Sequence, residues 1–163
     1  MNFTPDIELS GLIERRDWPD GPWNDEPDLV IWRDAETEYL CAVVRVPRLG
    51  HLCGYVGIPE SHPAHGLEEY YHELLDDVEV HWGVTHYGES PYIVNCPVTD
   101  IAALRFDYVP SWWFGWDAAH SGDAAPSAAT CEIYKRCQYR EFDYAVCETV
   151  SLARGLYQIG GKK

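Results

Sequence analysis

An α+β domain with a mostly antiparallel sheet is what this 163-residue chain predicts, and three observations carry that expectation. Three runs rich in β-branched and aromatic residues, Asp28 to Arg33, Glu38 to Val46 and His51 to Ile58, follow one another with short polar, Pro or Gly breaks, the pattern of an antiparallel meander. Trp112 to Trp116 has the composition of a central strand. Glu141 to Ile159 is the one long helical segment, with Phe142, Ala145, Val146, Thr149, Leu152, Ala153, Leu156 and Tyr157 recurring at three- and four-residue spacing. An apolar stripe of that kind covers a sheet.

Taken in order, residues 1–27 form an irregular N-terminal segment. It holds a short helix around Leu9 to Arg16, then Asp17-Trp18-Pro19-Asp20-Gly21-Pro22-Trp23, where Pro and Gly forbid regular structure. After the meander, Pro59 to Gly66 is a loop whose His62 and His65 are mainly solvated. Leu67 to Leu75 reads as a short helix on the spacing of Leu67, Tyr70, Tyr71, Leu74 and Leu75. Val78 to His86 alternates like a strand, while Tyr92 to Pro97 and Ile101 to Asp107 are shorter strands or loop. Asp117 to Asp123 is the loop leaving the Trp112 strand, and Gly160-Gly161 stops the final helix before the basic tail Lys162-Lys163. One domain, 1–163, is long enough to bury a core without disulfides or metal.

Charge and composition exclude several classes of function. A net charge of -15 speaks against nucleic acid, whose phosphates must be met by Lys and Arg. A small anionic ligand stays compatible, because a pocket gathers a local Arg, backbone N–H groups or a helix N-terminus while the rest of the surface remains acidic. No apolar run approaches the roughly 20 residues of a membrane span, and Met1 to Ser10 lacks a secretory signal, so a soluble cytosolic protein is expected. The six cysteines have irregular gaps and no Cys-x-x-Cys pair, and they read as free thiols in a reducing compartment.

Two motifs carry the functional reading. Trp112-Trp113-Phe114-Gly115-Trp116-Asp117-Ala118-Ala119-His120-Ser121-Gly122-Asp123 sets four large rings beside two carboxylates and an imidazole; Val80-His81-Trp82-Gly83-Val84-Thr85-His86-Tyr87-Gly88 interleaves aromatics, Gly and His. Aromatic runs also serve simply as strand cores. Alternation sends Trp112, Phe114 and Trp116 to one face and Trp113 to the other, so one set lines a pocket and the other is core. In the binding reading Trp112, Trp113 and Trp116 are candidate walls, and His81, Trp82, Thr85, Asp117, His120, Ser121 and Asp123 complete a nucleotide-sized pocket. Rings stack on a base, Asp accepts from ribose hydroxyls, and His or a backbone N–H meets phosphate.

The same residues admit chemistry. His120 oriented by Asp117 or Asp123, with His81 nearby, suits general acid–base hydrolysis of an ester or phosphodiester. A metal is compatible with these ligand types, but Asp117-x-x-His120-x-x-Asp123 matches no standard zinc signature, and no metal or cofactor is expected. A Ser121–His120–Asp123 triad lacks the Gly-flanked nucleophile elbow.

Gly54-Tyr55-Val56-Gly57-Ile58-Pro59 with His62-Pro63, followed by the two motifs, resembles an uncharacterised family of small bacteriophage and prophage proteins. Members show HGGLTY at the first functional motif and WWFGFDCAHxGD at the second, followed by a C-terminal helix. The resemblance spans residues 51–158. This chain has Trp82 for Gly, His86 for Tyr, Trp116 for Phe and Ala118 for Cys, so a cysteine at position 118 is no essential nucleophile. By analogy with viral proteins that disarm bacterial immunity, the expected function is sequestration of a nucleotide-derived signal, a cyclic dinucleotide or ADP-ribose derivative, in the host cytoplasm. Such proteins are commonly homo-oligomers. The alternatives are hydrolysis of such a nucleotide, and an interaction or virion-associated role without a ligand.

Overall fold

The structure, a computed structural model, describes residues 4–69, 71–132 and 136–161. Its elements in chain order are β1 (Ile7–Leu9), β2 (Leu29–Arg33), β3 (Leu40–Arg45), β4 (Leu52–Ile58), β5 (His86–Gly88), β6 (Tyr92–Ile93), β7 (Cys96–Pro97), α1 (Val98–Ala102), β8 (Trp112–Asp117), β9 (Asp123–Ala124), β10 (Gln138–Tyr139) and α2 (Phe142–Gly161). Six strands form one sheet in the order β1-β2-β3-β4-β8-β5, each neighbouring pair antiparallel. The predicted meander is β2-β3-β4, and β8 lies inside the sheet between β4 and β5. No helix among the described residues is long and apolar enough to cross a membrane.

Both faces of the sheet are buried, which is why β2 and β3 read as nearly unbroken apolar runs. On one face Val30, Trp32, Cys41, Val43, Val56, Phe114 and Trp116 pack under α2. On the other, Leu29, Ile31, Ala42, Val44 and Trp113 pack against Ile13, Ile93, Val98 and Ala102. This second cover, the β6-β7 hairpin with α1 and the N-terminal segment, is not evident in the sequence. Gly54 sets the approach of α2: a Cβ there would lie closer than 3.0 Å to the Thr149 hydroxyl and the Trp116 indole.

Several local expectations are corrected. Leu9 to Arg16 is not helical, because Ile7–Leu9 pairs with β2 and the buried Asp28 carboxylate takes the amides of Leu12 (2.8 Å) and Ile13 (3.2 Å) and pairs with Arg15. Leu67 to Leu75 yields only a 3-10 turn, Glu73–Leu75, capped by His72. Tyr71 is 97% exposed and so buries nothing at its place in the stripe; Tyr70 lies outside the described residues. Val78 to Thr85 is turn and loop, since Trp82 (φ 55) and Gly83 (φ 89) are consecutive left-handed residues that break any strand.

Tyr92 to Pro97 forms a hairpin about Val94 and Asn95, both left-handed as a type I′ turn requires. Ile101 belongs to α1 rather than to a strand. The final helix runs through Gly161 instead of stopping at the glycines, and its Tyr157 is exposed while Ile159 is buried. Lys162-Lys163 lies outside the described residues.

A buried polar hub ties the covering layers together. Arg45, wholly buried, donates to Glu26 (2.7 Å), the Gly50 carbonyl (2.8 Å) and the Tyr139 hydroxyl (2.9 Å). Glu26 in turn accepts the Phe142 amide at 2.9 Å, a carboxylate at the positive N-terminus of α2. Through Tyr139 the hub fixes β10, which pairs in parallel with β9 and so holds Asp123 in place.

Candidate functional site

The two motifs meet at the C-terminal end of β8. The left-handed turn at Trp82-Gly83 aims His81 inward, and its Nε2 donates to Asp123 Oδ2 at 2.8 Å, across 42 residues of sequence. Asp123 is 4% exposed, and Arg140 Nε donates to its Oδ1 at 2.8 Å while the His120 amide donates to Oδ2 at 3.0 Å. Burial pushes the Asp123 carboxyl up, but the hydrogen bonds from Arg140, His81 and His120 outweigh burial and hold it below the ordinary carboxylate range. It is therefore an ionised acceptor, which assigns the Nε2 proton to His81.

The far nitrogens of both imidazoles are anchored. Tyr144 and His81 Nδ1 are hydrogen-bonded at 2.8 Å. Burial, reinforced by the neighbouring Glu148 carboxylate, raises the Tyr144 phenol above its usual range. Glu148 also accepts the His81 amide at 2.7 Å. His120 Nδ1–H donates to the Asp117 carbonyl at 3.1 Å, and its Nε2 has no hydrogen-bond partner among the described residues. The Trp82 indole, 65% exposed, covers the His120 ring at 5.5 Å with the planes 7° apart. One ligand atom each from His81, His120 and Asp123 falls within 4.8 Å of the others.

His120, Ser121, Gly122 and Asp123 line a cleft of about 380 Å³ together with His51, Leu49, Ala125 and Cys137. His51 is 7% exposed, burial holds its pKa below the usual histidine range, and its Nδ1 has no hydrogen-bond partner among the described residues. Asp117 flanks this cluster, accepting from Thr85 Oγ1 at 2.6 Å and from the Ala119 amide at 3.1 Å.

The predicted tryptophan walls do not form. Trp113 is fully buried on the opposite face and donates to the Pro110 carbonyl (3.0 Å); Trp116 is 1% exposed beneath α2 and donates to Thr149 (3.2 Å). Trp116 supports the site only from behind, its ring 5.5 Å from that of His81. Trp112 lines a different cavity of about 910 Å³ at the other end of β8, with His65, Tyr92 and Ser111. Among the described residues that larger cavity holds His65, bonded to Ser111 at 3.1 Å, and Glu89, but no group like that of His81, His120 and Asp123. His62 is not solvated but buried, bonded to the Leu156 carbonyl at 2.7 Å.

Four residues of the site escape the motif reading: His51, Arg140, Tyr144 and Glu148. A signal for the last two exists in α2, where Tyr144 and Glu148 stand one turn apart as a polar edge beside the apolar stripe. The six cysteines are free thiols, with Cys41 and Cys53 in the core, and burial pushes the Cys53 thiol up to about 12. No protein-family model, curated protein or solved structure matches this chain.

Proposed function

We propose that this chain is a phage-encoded hydrolase that opens a phosphodiester or phosphate ester bond of a nucleotide-derived signal in the cleft beside β8. The observation that carries the reading is the oriented group His81, His120 and Asp123, gathered from two distant segments, with His120 and Asp123 on the cleft wall, His81 directly behind it, and Nδ1 of each imidazole anchored. Fixing the tautomer and orientation of two imidazoles serves water activation more than it serves grip. Sequestration by stacking would favour flat exposed rings, and Trp113 and Trp116 are core.

Substrate class follows from size and charge. A cleft of about 380 Å³ is of small-molecule size, and the net charge of -15 disfavours a polymeric polyanion. Trp82 offers an exposed ring at the rim for a base, and His51 brings a polar atom that is unpaired among the described residues. In the reaction the oxygen of water bonds to phosphorus as the ester P–O bond breaks, and a water proton ends on the leaving alkoxide. The phage origin rests on the motif resemblance alone.

The test is incubation of the protein with cyclic dinucleotides and ADP-ribose derivatives, followed by filtration, heat denaturation and chromatography of what is released. A new product that His120→Ala fails to form supports hydrolysis. Depletion with recovery of the intact nucleotide replaces it with sequestration, for which the Trp82 ring is the favouring feature. No depletion rejects both for that panel and favours a role in protein interaction.

A further inference from the structure

We propose that His81, His120 and Asp123 bind one divalent first-row transition ion, zinc being the best match, with its remaining coordination positions turned to the cleft. This deepens the hydrolytic reading and rests on it for its chemical purpose, but occupancy is measurable without any substrate.

Four observations converge. The donor set of two imidazole nitrogens and one carboxylate oxygen is that of a three-ligand catalytic centre, and its atoms already lie within 4.8 Å of one another. With metal–ligand bonds of about 2.0–2.2 Å, tetrahedral donors are about 3.4 Å apart. The 2.8 Å His81–Asp123 contact would open slightly and the widest separation would close.

The surroundings are those a metal requires. Metal-bound histidines donate their other N–H to an oxygen acceptor. His120 Nδ1–H already does so to the Asp117 carbonyl. His81 Nδ1 faces the Tyr144 hydroxyl. With Nε2 turned to a cation, His81 would carry its proton on Nδ1 and donate it to the Tyr144 hydroxyl. Arg140 holds the other Asp123 oxygen.

Charge and access agree with this. Asp117 and Glu148 flank the three donors, with Arg140 as the nearby fixed cation. His81 is 8% exposed and sits behind the wall, whereas His120 and Asp123 line the cleft, so an ion between them meets cleft water on one side. A His81–Asp123 contact alone would account neither for a His120 Nε2 that has no hydrogen-bond partner among the described residues nor for its anchored Nδ1. An ion held by His81, His120 and Asp123 would supply Lewis acidity that lowers the pKa of a cleft water, which would lose a proton to solvent as its oxygen bonds to phosphorus, while the leaving alkoxide would take a proton from water.

The experiment titrates the chelator-treated 163-residue chain with Zn²⁺ calorimetrically and with Co²⁺ by visible absorption. The expected result is one tight equivalent with Co²⁺ ligand-field bands, at least tenfold weaker affinity and loss of the bands in His120→Ala, and about tenfold weaker affinity in Tyr144→Phe. Tyr144→Phe keeps the ring packing and so remains informative if His120→Ala folds poorly. Failure of the wild-type protein to bind one equivalent overturns the proposal, as does binding that both variants leave unchanged. A protein that binds one equivalent yet releases every nucleotide intact refutes hydrolysis while the metal site stands.

Discussion

Gly54→Ala probes the contact on which both the core and the site depend. The new methyl would overlap Thr149 Oγ1 and the Trp116 indole nitrogen on the inner face of α2, with the indole Cε2 at 2.9 Å. None of these atoms is the free end of a flexible chain: Trp116 is 1% exposed and Thr149 is fully buried. Overpacking of this kind costs about 1–3 kcal/mol. Lifting α2 to make room also breaks the 3.2 Å Trp116–Thr149 hydrogen bond, and a buried unpaired indole N–H adds about 1–3 kcal/mol. The expected loss is about 3–4 kcal/mol, or a fall in Tm of about 10 °C at this chain length.

Urea denaturation followed by far-UV circular dichroism measures that loss. Because the Trp116 ring backs His81 at 5.5 Å, zinc affinity should weaken alongside stability. Thr149→Ala supplies the control. Alone it leaves the indole unpaired and costs about 1–3 kcal/mol. Combined with Gly54→Ala it removes part of the clash, so the double variant should lose less than the sum of the two. A Gly54→Ala loss below about 1 kcal/mol would refute the reasoning that this glycine sets the helix–sheet distance.

Arg45→Met should cost about 3–5 kcal/mol in the same denaturation assay, since it removes the buried guanidinium that Glu26 and Asp28 face and leaves Glu26 only the Phe142 amide and the Tyr139 hydroxyl; a near-neutral result would show that the hub is dispensable. Trp82→Gly should leave stability within about 1 kcal/mol, because relief of the left-handed backbone offsets the lost His120 stack, while product formation drops up to about tenfold. Burial holds His62 below its usual value, against the hydrogen bond to the Leu156 carbonyl, and its Nδ1 accepts the Ala64 amide. The unfolded chain therefore takes up the proton first, and stability present above pH 6.5 is lost as pH falls from there toward the lowered folded value. His51 and His86 act in the same direction. His62→Gln should flatten the acid limb by up to one proton in urea midpoints measured across that range; an unchanged slope would assign the effect elsewhere.

The meander, the interior β8 strand and α2 were legible because each is a local periodic pattern: alternating or continuous apolar runs for strands, three- and four-residue spacing for the helix. Where the pattern was short it misled. Leu9 to Arg16 and Leu67 to Leu75 have helical spacing, but Asp28 captures the amides of the first, and Tyr71 of the second faces solvent. Val78 to His86 alternates, yet two consecutive left-handed residues turn it into the loop that presents His81.

By itself the sequence determined the residue types of the site, with His81, Asp117, His120 and Asp123 standing out as polar groups amid aromatics. Only the tertiary structure decided that His81 reaches Asp123, that Tyr144, Arg140 and Glu148 complete the cluster from the far end of the chain, and that Trp82 covers it from the solvent side while Trp116 backs it from the core. The physical reason is that apolar burial repeats with the period of each element and is written locally. A polar constellation depends on which sparse groups long-range packing and turn geometry bring within hydrogen-bond reach, and no local period encodes that.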